Sequence, residues 1–266
     1  MGIENRVALV TGASSGLGEE TARHFARHGA RVVASGRERE KGEAVVQAIR
    51  DEGGEATFVE LDLSDPEVGT KARAAVEEAY GPADIVINNA GTFFFTPLAA
   101  VSPDDFDTAV RINLRGPFLI TQALVPGMAE RGHGRVVFIG SSAASAGVAM
   151  TPMYSATKAG LKGLMLSLVP EFGAAGVTFN TIEPGLIVTP LTSNLVGTDD
   201  LRQPFIPHQP TGRVGVPRDL AHTALMLSDD DAGHINAQVI VLDGGNIATA
   251  KHSALPPPPE SSGTRL

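Results

Sequence analysis

Tyr154 and Lys158 carry the clearest chemistry in this sequence. They are four residues apart, so a helix would place them on one face with Cβ atoms about 5–6 Å apart. A free phenol has a pKa of about 10 and is a poor acid–base group at neutral pH. An ammonium about 5 Å away, at an effective dielectric of about 20, would stabilise the phenolate by on the order of 3 kcal/mol. The pair predicts proton transfer, although such a pair taken alone is usually an exposed helical pair.

A glycine-rich segment, Thr11 to Gly18, could hold a phosphate group. It follows an apolar run at residues 7–10 and precedes a helical pattern at residues 17–28. At such a strand-to-helix turn, backbone N–H groups and the helix dipole can bind a diphosphate, and glycine permits a close approach. The alternative is an ordinary glycine-rich turn, which the strand–turn–helix context disfavours.

The elements that must position these residues alternate along the chain. Strand patterns fall at residues 7–10, 31–35, 57–61, 83–87, 136–139, 178–182 and 239–242, with helical patterns between most of them. This alternation predicts a parallel sheet covered on both faces, an α/β, Rossmann-like doubly wound fold in a single domain. Capping residues before a proline predict helix starts at residues 64–67 and 102–105.

Composition excludes several classes of protein. The chain has 266 residues, 42% hydrophobic, which is long enough for one sizeable core and too apolar for disorder along most of its length. A net charge of −9 disfavours nucleic acid and anionic membranes as partners. With no cysteine, a disulfide framework, a cysteine-ligated metal and a thiol nucleophile are excluded, and a reducing cytoplasm is the expected location. We expect no metal and no signal peptide.

Three segments depart from the regular alternation. We expect the domain to span residues 1–250, with an irregular, proline-rich insertion at about 190–217 that could act as a lid. Residues 251–266, which contain four consecutive prolines, are expected to form an extended or disordered tail. Pro170 should kink the helix that carries Tyr154.

Five features in register resemble the short-chain dehydrogenase/reductase family, and together they cover roughly residues 5 to 247. They are the G-x-x-x-G-x-G spacing from Gly12 to Gly18, Asn88-Asn89-Ala90-Gly91, Ser141 thirteen residues before Tyr154, Tyr154-x-x-x-Lys158, and Pro184-Gly185. The resemblance implies a nicotinamide dinucleotide cofactor and oxidoreduction at a carbonyl or alcohol carbon. Hydride transfer to a carbonyl also needs a positioned proton donor, which fits the Tyr154–Lys158 pair.

By resemblance, one set of residues binds the cofactor: Gly12, Ser14, Ser15, Gly16, Leu17, Gly18, Ser35, Arg37, Asp62, Leu63, Asn89, Ala90, Gly91, Tyr154, Lys158, Pro184, Gly185, Ile187 and Thr189. Because Ser35-Gly36-Arg37 has no acid at the end of the second strand, a ribose 2′-phosphate and hence NADP(H) is favoured over NAD. Alternatively, Arg37 pairs with Glu38 or Glu40. Asp62 would accept from the adenine amino group, or would only begin a turn. Asn88 is expected to join neighbouring strands.

The resemblance also assigns catalytic roles. Tyr154 is the general acid/base, and Lys158 lowers its pKa while donating to the nicotinamide ribose. Ser141 donates to the substrate oxygen, and Asn113 belongs to a water relay behind the lysine. Thr189 resembles the threonine that contacts the nicotinamide carboxamide. Glu183, immediately before Pro184-Gly185, departs from the small or apolar residue of many relatives.

The expected substrate is a hydrophobic carbonyl or secondary alcohol, which makes the chain a ketoreductase. The expected substrate residues are Phe93, Phe94, Val148, Met150 and Leu191; alternatively, some of them pack in the core or at a subunit contact. A 3-oxoacyl carrier-protein reductase is the alternative substrate class, weakened by Ala175, where such relatives usually carry a basic residue. Alternatives from other classes are a non-catalytic nucleotide-binding regulator and a sugar-nucleotide epimerase or dehydratase. A homotetramer is expected by resemblance.

Overall fold

Seven parallel strands form one twisted sheet at the centre of the molecule, in the order β3-β2-β1-β4-β5-β6-β7. The computed structural model describes residues 2–249. The strands are β1 Val7–Thr11, β2 Arg31–Gly36, β3 Glu55–Glu60, β4 Ile85–Asn88, β5 Gly134–Ile139, β6 Val177–Pro184 and β7 Val239–Leu242. The predicted α/β, Rossmann-like single domain is confirmed; the expected tail at 251–266 lies outside the described residues.

Helices cover both faces of this sheet. They are α1 Gly16–Arg27, α2 Arg39–Asp51, α3 Val68–Tyr80, α4 Pro103–Val110, α5 Gly116–Glu130, α6 Ala143–Ala146, α7 Pro152–Phe172, α8 Ser193–Val196, α9 Asp199–Arg202, α10 Pro217–Ser228 and α11 Asn246–Thr249. One core lies between the sheet and α1, α2 and α10, and a second lies between the sheet and α3, α5 and α7. Because successive strand side chains point to opposite faces, Val137 belongs to the first core and Phe138 to the second.

One predicted helix start is confirmed and the other is wrong. Ser102 caps α4 in a reciprocal capping box with Asp105, as the Ser-Pro-Asp-Asp pattern predicts. The helix expected at residues 64–67 begins only at Val68. Asp62 and Asp65 accept hydrogen bonds from backbone N–H groups two residues ahead, so the capping residues form turns before the helix.

The segment between β6 and α10 is irregular, as expected, but not without structure. It contains the short helices α8 and α9 and 3₁₀ turns at Pro190–Thr192 and Ile206–His208. Pro170 lies inside α7, which ends two residues later at Phe172. Proline therefore falls in the last turn of the helix, well beyond Tyr154 and Lys158.

The strand order places the candidate residues at one edge of the sheet. The order reverses between β1 and β4, where the helices that follow the two strands lie on opposite faces. In such sheets the carboxyl ends of the strands leave an open crevice at this point. The glycine-rich turn follows β1, residues 89–91 follow β4, and Ser141 follows β5, so the topology gathers them at the same edge.

Candidate active site

A cavity of about 530 Å³ opens at the carboxyl ends of β1, β2, β3 and β4, and is called the strand-end cavity below. The predicted residues that line it are Gly12, Ser14, Ser15, Gly16, Leu17, Ser35, Arg37, Asp62, Leu63, Asn89, Ala90, Gly91, Phe93, Thr189 and Leu191. The structure thus brings together residues from the first four strand ends and from the start of the insertion.

Glycine is required at two positions in the floor of this cavity. A Cβ on Gly18 would lie 2.2 Å from the Gly12 carbonyl oxygen, because α1 packs directly onto the turn that precedes it. Gly12 has a φ of +66°, and its Cβ would lie 2.8 Å from the Ala90 Cα. Gly18 is buried beneath the turn rather than facing the cavity. Its role is close packing, which the spacing alone could not separate from ligand contact.

The N-terminus of α1 is open toward the strand-end cavity. Ser15 stands at the N-cap in an extended conformation, and its side chain makes no capping hydrogen bond. The first-turn N–H groups and the positive end of the helix dipole are therefore available to an anionic ligand.

The asparagine pair at the end of β4 splits between two layers of the fold. Asn89 Nδ2 donates to the Thr11 carbonyl at 2.8 Å, and this residue also lines the cavity. Asn88 Nδ2 instead donates to Thr121 Oγ1 of α5 at 3.3 Å. The prediction that Asn88 joins neighbouring strands is wrong, because its side chain points to the helix layer while Asn89 spans the β1–β4 gap.

Arg37 lies at the cavity wall after β2 and forms no salt bridge within residues 2–249. The alternative in which Arg37 pairs with Glu38 or Glu40 is not observed among residues 2–249, and Glu38 pairs instead with Lys41 at 2.5 Å. Lys41, which also lines the cavity, was missed at the sequence level. Its only sequence signal is the i,i+3 spacing to Glu38, which equally describes a solvated helical pair.

Asp62 begins a turn, as one of its two expected roles requires; its contact with an adenine stays a prediction. Its Oδ1 accepts a hydrogen bond from the Ser64 backbone N–H at 2.8 Å, and so begins a turn. It also lines the cavity together with Leu63. The turn orients the Asp62 carboxylate, so a role in the turn is compatible with binding a ligand.

The phenol of Tyr154 lies beside Ser141, at the end of β5. Burial raises the pKa of Tyr154, and the hydrogen-bonding Ser141 side chain acts in the opposite direction. The Phe93 ring contacts the Tyr154 ring edge to face, with centroids 4.9 Å apart. The expected lowering of the Tyr154 pKa by Lys158 is not found in the chain by itself, because burial of the phenol raises this pKa.

Lys158 is buried in the floor of the site. Its Nζ donates to the Ile139 carbonyl at 2.7 Å and lies 5.9 Å from the centroid of the Tyr154 ring. Burial lowers the pKa of Lys158 to about 8. The ammonium is thus oriented by β5, one helical turn beyond the phenol, and still carries its charge at neutral pH.

Asn113 holds the loop after β4 against α7. It lies in a π-helical segment, Arg111–Arg115, between α4 and α5. Its Oδ1 accepts from Thr92 N–H at 2.8 Å, and its Nδ2 donates to the Thr92 carbonyl at 2.9 Å and to Thr157 Oγ1 at 3.3 Å. A Cβ on Gly91 would lie 3.1 Å from Asn113 Oδ1 and 3.2 Å from Lys158 Nζ. The expected neighbourhood of Asn113 and Lys158 is therefore present; the water relay stays a prediction.

Exposed apolar side chains lie on the loops that follow β4, β5 and β6. Phe93, Val148, Met150 and Leu191 are large, partly or largely exposed hydrophobic residues on these loops. Phe94 is half-buried. Phe93 and Leu191 line the strand-end cavity; Phe94, Val148 and Met150 do not.

Six predicted cofactor residues do not line the strand-end cavity: Gly18 beneath it, Tyr154 and Lys158 on α7, and Pro184, Gly185 and Ile187 in and after β6. Ile187 is 4% exposed and packs in the core near α10. A Cβ on Gly185 would lie 2.7 Å from Asp243 Cβ, and Pro184 accepts a backbone hydrogen bond from Ser142. Pro184, Gly185 and Ile187 therefore pack around the end of β6, away from the strand-end cavity. Residues that line the cavity but were missed are Thr11, Gly36, Glu38, Lys41, Leu61, Thr92, Ile112 and Pro190, mostly sequence neighbours of predicted ones.

Two negative findings apply to residues 2–249. No helix there is long and apolar enough to cross a bilayer. The same residues contain no group of three or more histidine, aspartate or glutamate side chains arranged to hold a metal ion.

Comparison with known proteins identifies relatives over almost the whole chain. A family model described as enoyl-(acyl carrier protein) reductase matches residues 12–246. The chain is 41% identical to the (2S)-[(R)-hydroxy(phenyl)methyl]succinyl-CoA dehydrogenase subunit BbsD of Thauera aromatica, over 92% of this chain and 98% of that one. It is 31% identical to a 3-oxoacyl-[acyl-carrier-protein] reductase of Thermotoga maritima, over 92% and 99% of the two chains.

A solved structure shares the fold. The gluconate 5-dehydrogenase from Burkholderia cenocepacia J2315, in complex with NADP and tartrate, superposes with a TM-score of 0.87. The two chains are 31% identical, and the match covers 93% of this chain and 97% of that one.

Proposed function

Since the chain belongs to the short-chain dehydrogenase/reductase family, we propose that it uses NADP(H) to interconvert a ketone and a secondary alcohol on a hydrophobic small molecule. Its named relatives are dehydrogenases and reductases that act on CH–OH groups, and the chain is an oxidoreductase of that class. The observation that carries the proposal is the Tyr154 phenol beside Ser141, with the buried Lys158 ammonium one turn further along α7.

The residues of the strand-end cavity fit a dinucleotide. The open N-terminus of α1 offers N–H groups to a diphosphate, and the absence of a Cβ at Gly12 lets it approach. Asp62, Leu63 and Thr189 line this cavity, and we propose that Asp62 and Leu63 hold the adenine. When bound, the nicotinamide supplies or accepts the hydride.

Tyr154 is the proposed proton donor for carbonyl reduction. Because burial raises the pKa of Tyr154, the phenol is protonated at neutral pH, the form that gives a proton to a carbonyl oxygen. The Ser141 hydroxyl beside it can donate a second hydrogen bond to the same oxygen. Lys158, with a pKa of about 8, is charged at neutral pH and stabilises the phenolate after the proton has left.

The apolar entrance supports a hydrophobic substrate. Phe93 forms an edge-to-face contact with the Tyr154 ring, so an aromatic surface directly borders the reacting hydroxyl. The Thauera aromatica relative is named for a substrate with a hydroxy(phenyl)methyl group, which is compatible with such a border. We propose an aryl or bulky alkyl ketone, or the matching secondary alcohol, as the substrate class.

A panel of ketones and secondary alcohols, followed at the nicotinamide absorbance with NADPH and NADH in parallel, tests the proposal. We expect turnover of apolar members and faster rates with NADPH. Absence of turnover by the whole panel with both cofactors, in protein that binds either of them, would refute the proposed reaction.

Arg37 is the residue on which NADP(H) preference depends. Its guanidinium lies at the cavity wall without an ion-pair partner among residues 2–249, and can bind a 2′-phosphate bidentately. Arg37→Ala should weaken NADPH binding by about 10- to 100-fold, as expected for the loss of a charge-assisted hydrogen bond, and leave NADH binding nearly unchanged. Equal losses with both cofactors would refute the phosphate assignment.

A 3-oxoacyl carrier-protein reductase is the second candidate, favoured by the relative from Thermotoga maritima. An acidic carrier would need basic residues near the entrance, and Ala175 offers none. Arg135 donates to the Asp229 and Asp230 carbonyls, and Arg131 bonds to the Ala83 carbonyl, so both arginines are engaged within the chain. A carrier-bound 3-oxoacyl substrate reduced much faster than its short thioester analogue would favour this alternative.

We also propose a homotetramer and a cytoplasmic location. Exposed apolar side chains on α4, α5 and α7, namely Phe106, Phe118 and Leu166, support subunit contacts through these helices. The absence of cysteine is compatible with a reducing compartment. Sedimentation analysis and cell fractionation test these two points, and a monomer in solution would contradict the first.

A further inference from the structure

A buried carboxylate lies behind the loop that carries Ser141. Glu183, next to the last residue of β6, is 0% exposed, and neither of its carboxylate oxygens accepts a hydrogen bond within the described residues. Its charged partner is Lys162, whose Nζ lies 3.2 Å from Glu183 Oε1 without the alignment of a hydrogen bond. A buried carboxylate is costly unless a cation compensates it, so this pair must stay together in the folded chain.

Lys162 connects this carboxylate to the loop after β5. It lies one turn beyond Lys158 on α7, and its Nζ also donates to Ser145 Oγ at 2.9 Å. Ser145 is exposed and belongs to α6, the short helix between Ser141 and Tyr154. The Lys162 ammonium, on α7, thus contacts both β6 and α6.

The backbone around Ser141 depends on the same elements. Ser142 N–H donates to the Pro184 carbonyl at 3.0 Å, directly after Glu183 in β6. Ser141 Oγ accepts from the Ala143 N–H at 3.2 Å, so the first residue of α6 orients the serine hydroxyl. A shift of α6 would therefore move the Ser141 hydroxyl.

The sheet makes room for the carboxylate at this point. A Cβ on Gly140 would lie 3.1 Å from Glu183 Cγ, tighter than ordinary contact. Glycine at 140 and glutamate at 183 therefore fit each other across the β5–β6 pair.

We propose that Glu183 is a positioning residue, which acts through Lys162 and Ser145 to hold the loop at residues 141–150 and hence the Ser141 hydroxyl. The loop also carries Val148 and Met150, so the same contacts position the apolar wall on the Tyr154 side. This inference rests on the proposed function only for its kinetic consequence.

The kinetic test uses Glu183→Gln, Lys162→Met and the double variant. Glu183→Gln should lower kcat/KM for the carbonyl substrate about tenfold, mainly through KM, because the Ser141 hydroxyl is displaced. Binding of NADPH, followed by fluorescence, should remain unchanged. Lys162→Met leaves a buried carboxylate without compensation and should be worse than Glu183→Gln, whereas the double variant should recover part of that loss. Lys162→Arg, which keeps the pair, should stay within about twofold of the parent.

A second measurement does not depend on turnover. Amide hydrogen exchange at residues 142–146 should be at least about tenfold faster in Glu183→Gln and in Ser145→Ala than in the parent, with exchange in β1 and α1 unchanged. Ser145→Ala removes only an exposed hydroxyl and should fold normally. Lys71→Met, which removes an exposed ion pair with Asp65, is the control and should change neither measurement.

The outcomes separate the two proposals. Unchanged exchange at residues 142–146, or equal changes in the affinities for cofactor and carbonyl, would overturn the positioning role. Faster exchange in Glu183→Gln and Ser145→Ala than in the parent, when the parent itself turns over no carbonyl, would support the positioning role and refute only the proposed reaction.

Discussion

At β1 and α1, backbone atoms form the candidate site. At β5, β6 and α7, buried ionisable side chains form it. The glycine-rich turn shapes the strand-end cavity through two missing Cβ atoms and open N–H groups. The Tyr154 side instead buries a phenol, an ammonium and a carboxylate, and the pKa values of Tyr154 and Lys158 are both shifted by desolvation.

The proposed function explains why the β1–α1 half of the site and the Tyr154 half are built differently. A diphosphate carries a fixed charge, so neutral dipoles in a rigid turn suffice to bind it. A proton donor must change its charge during the reaction, which requires groups whose pKa values the protein can shift. The first half should therefore be sensitive to volume and the second to charge.

The largest expected effect comes from removing the Tyr154 hydroxyl. Tyr154→Phe keeps the ring that contacts Phe93 but removes the proton donor, so kcat should fall by about 10²- to 10⁴-fold. NADPH binding measured by fluorescence should not change. Turnover within threefold of the parent would contradict the role of Tyr154 and favour a regulatory, non-catalytic protein.

Lys158→Met should make the folded chain more stable, although it removes the ammonium next to Tyr154. The folded-state pKa of Lys158 is lowered to about 8, so burial of the charged form destabilises the parent below that pH. The variant should be more stable by up to about 3 kcal/mol at pH 7, and this advantage should shrink between pH 8 and about 10.5.

Urea unfolding at pH 7 and pH 10 measures this difference, with the exposed Lys71→Met as the control. A variant less stable than the parent at pH 7 would mean that the hydrogen bond to the Ile139 carbonyl outweighs desolvation.

Gly18→Ala tests the sensitivity of the backbone half to volume. Its new Cβ would meet the Gly12 carbonyl at 2.2 Å, so α1 must shift from the turn. We expect a loss of about 1–3 kcal/mol in the free energy of unfolding, with weaker NADPH binding. Gly233→Ala, whose Cβ would meet its nearest atom at 3.5 Å, is the matched control. Equal effects of the two substitutions would contradict the packing role of Gly18.

The smallest effect concerns a buried base outside the site. His24 lies among His28, His222, Arg27 and Arg218 between α1 and α10, and desolvation first, then these charges, lower the pKa of His24 to about 4. Because the unfolded chain takes up this proton at a higher pH, His24 should reduce stability by about 2 kcal/mol between pH 7 and pH 4.5.

His24→Leu should remove that part of the acid destabilisation, as measured by urea unfolding across this pH range. If the variant and the parent lose stability in parallel, His24 does not titrate as described. A confirmed lowering of the His24 pKa would show that buried bases with lowered pKa values also occur away from Tyr154 and Lys158.

Much of the site was predictable because it follows from local patterns. The glycine spacing, the Asn-Asn-Ala-Gly motif and the i,i+4 pair each lie within one strand end or one helical turn, where sequence order determines geometry. The capping box at Ser102 was predictable for the same reason, whereas the helix after Ser64 begins later because Asp62 and Asp65 form turns.

The rest depended on contacts between segments far apart in the chain. Neither the contact of Asn88 with α5, the bond from Asn89 to β1, nor the burial of Ile187 has a sequence signal. Glu183 was recognisable only as a departure, since its partner Lys162 lies on α7 and meets it solely because that helix packs over β6.

By itself, then, the sequence determined the alternating fold, the strand ends at which the predicted cofactor residues gather, and the pairing of one hydroxyl with one ammonium a helical turn apart, since each is encoded within a few residues. Tertiary structure alone decided the sign of the Tyr154 pKa shift and the lowered pKa of Lys158. Both depend on how much water the packed helices and strands exclude, and desolvation is a property of the assembled site rather than of any spacing along the chain.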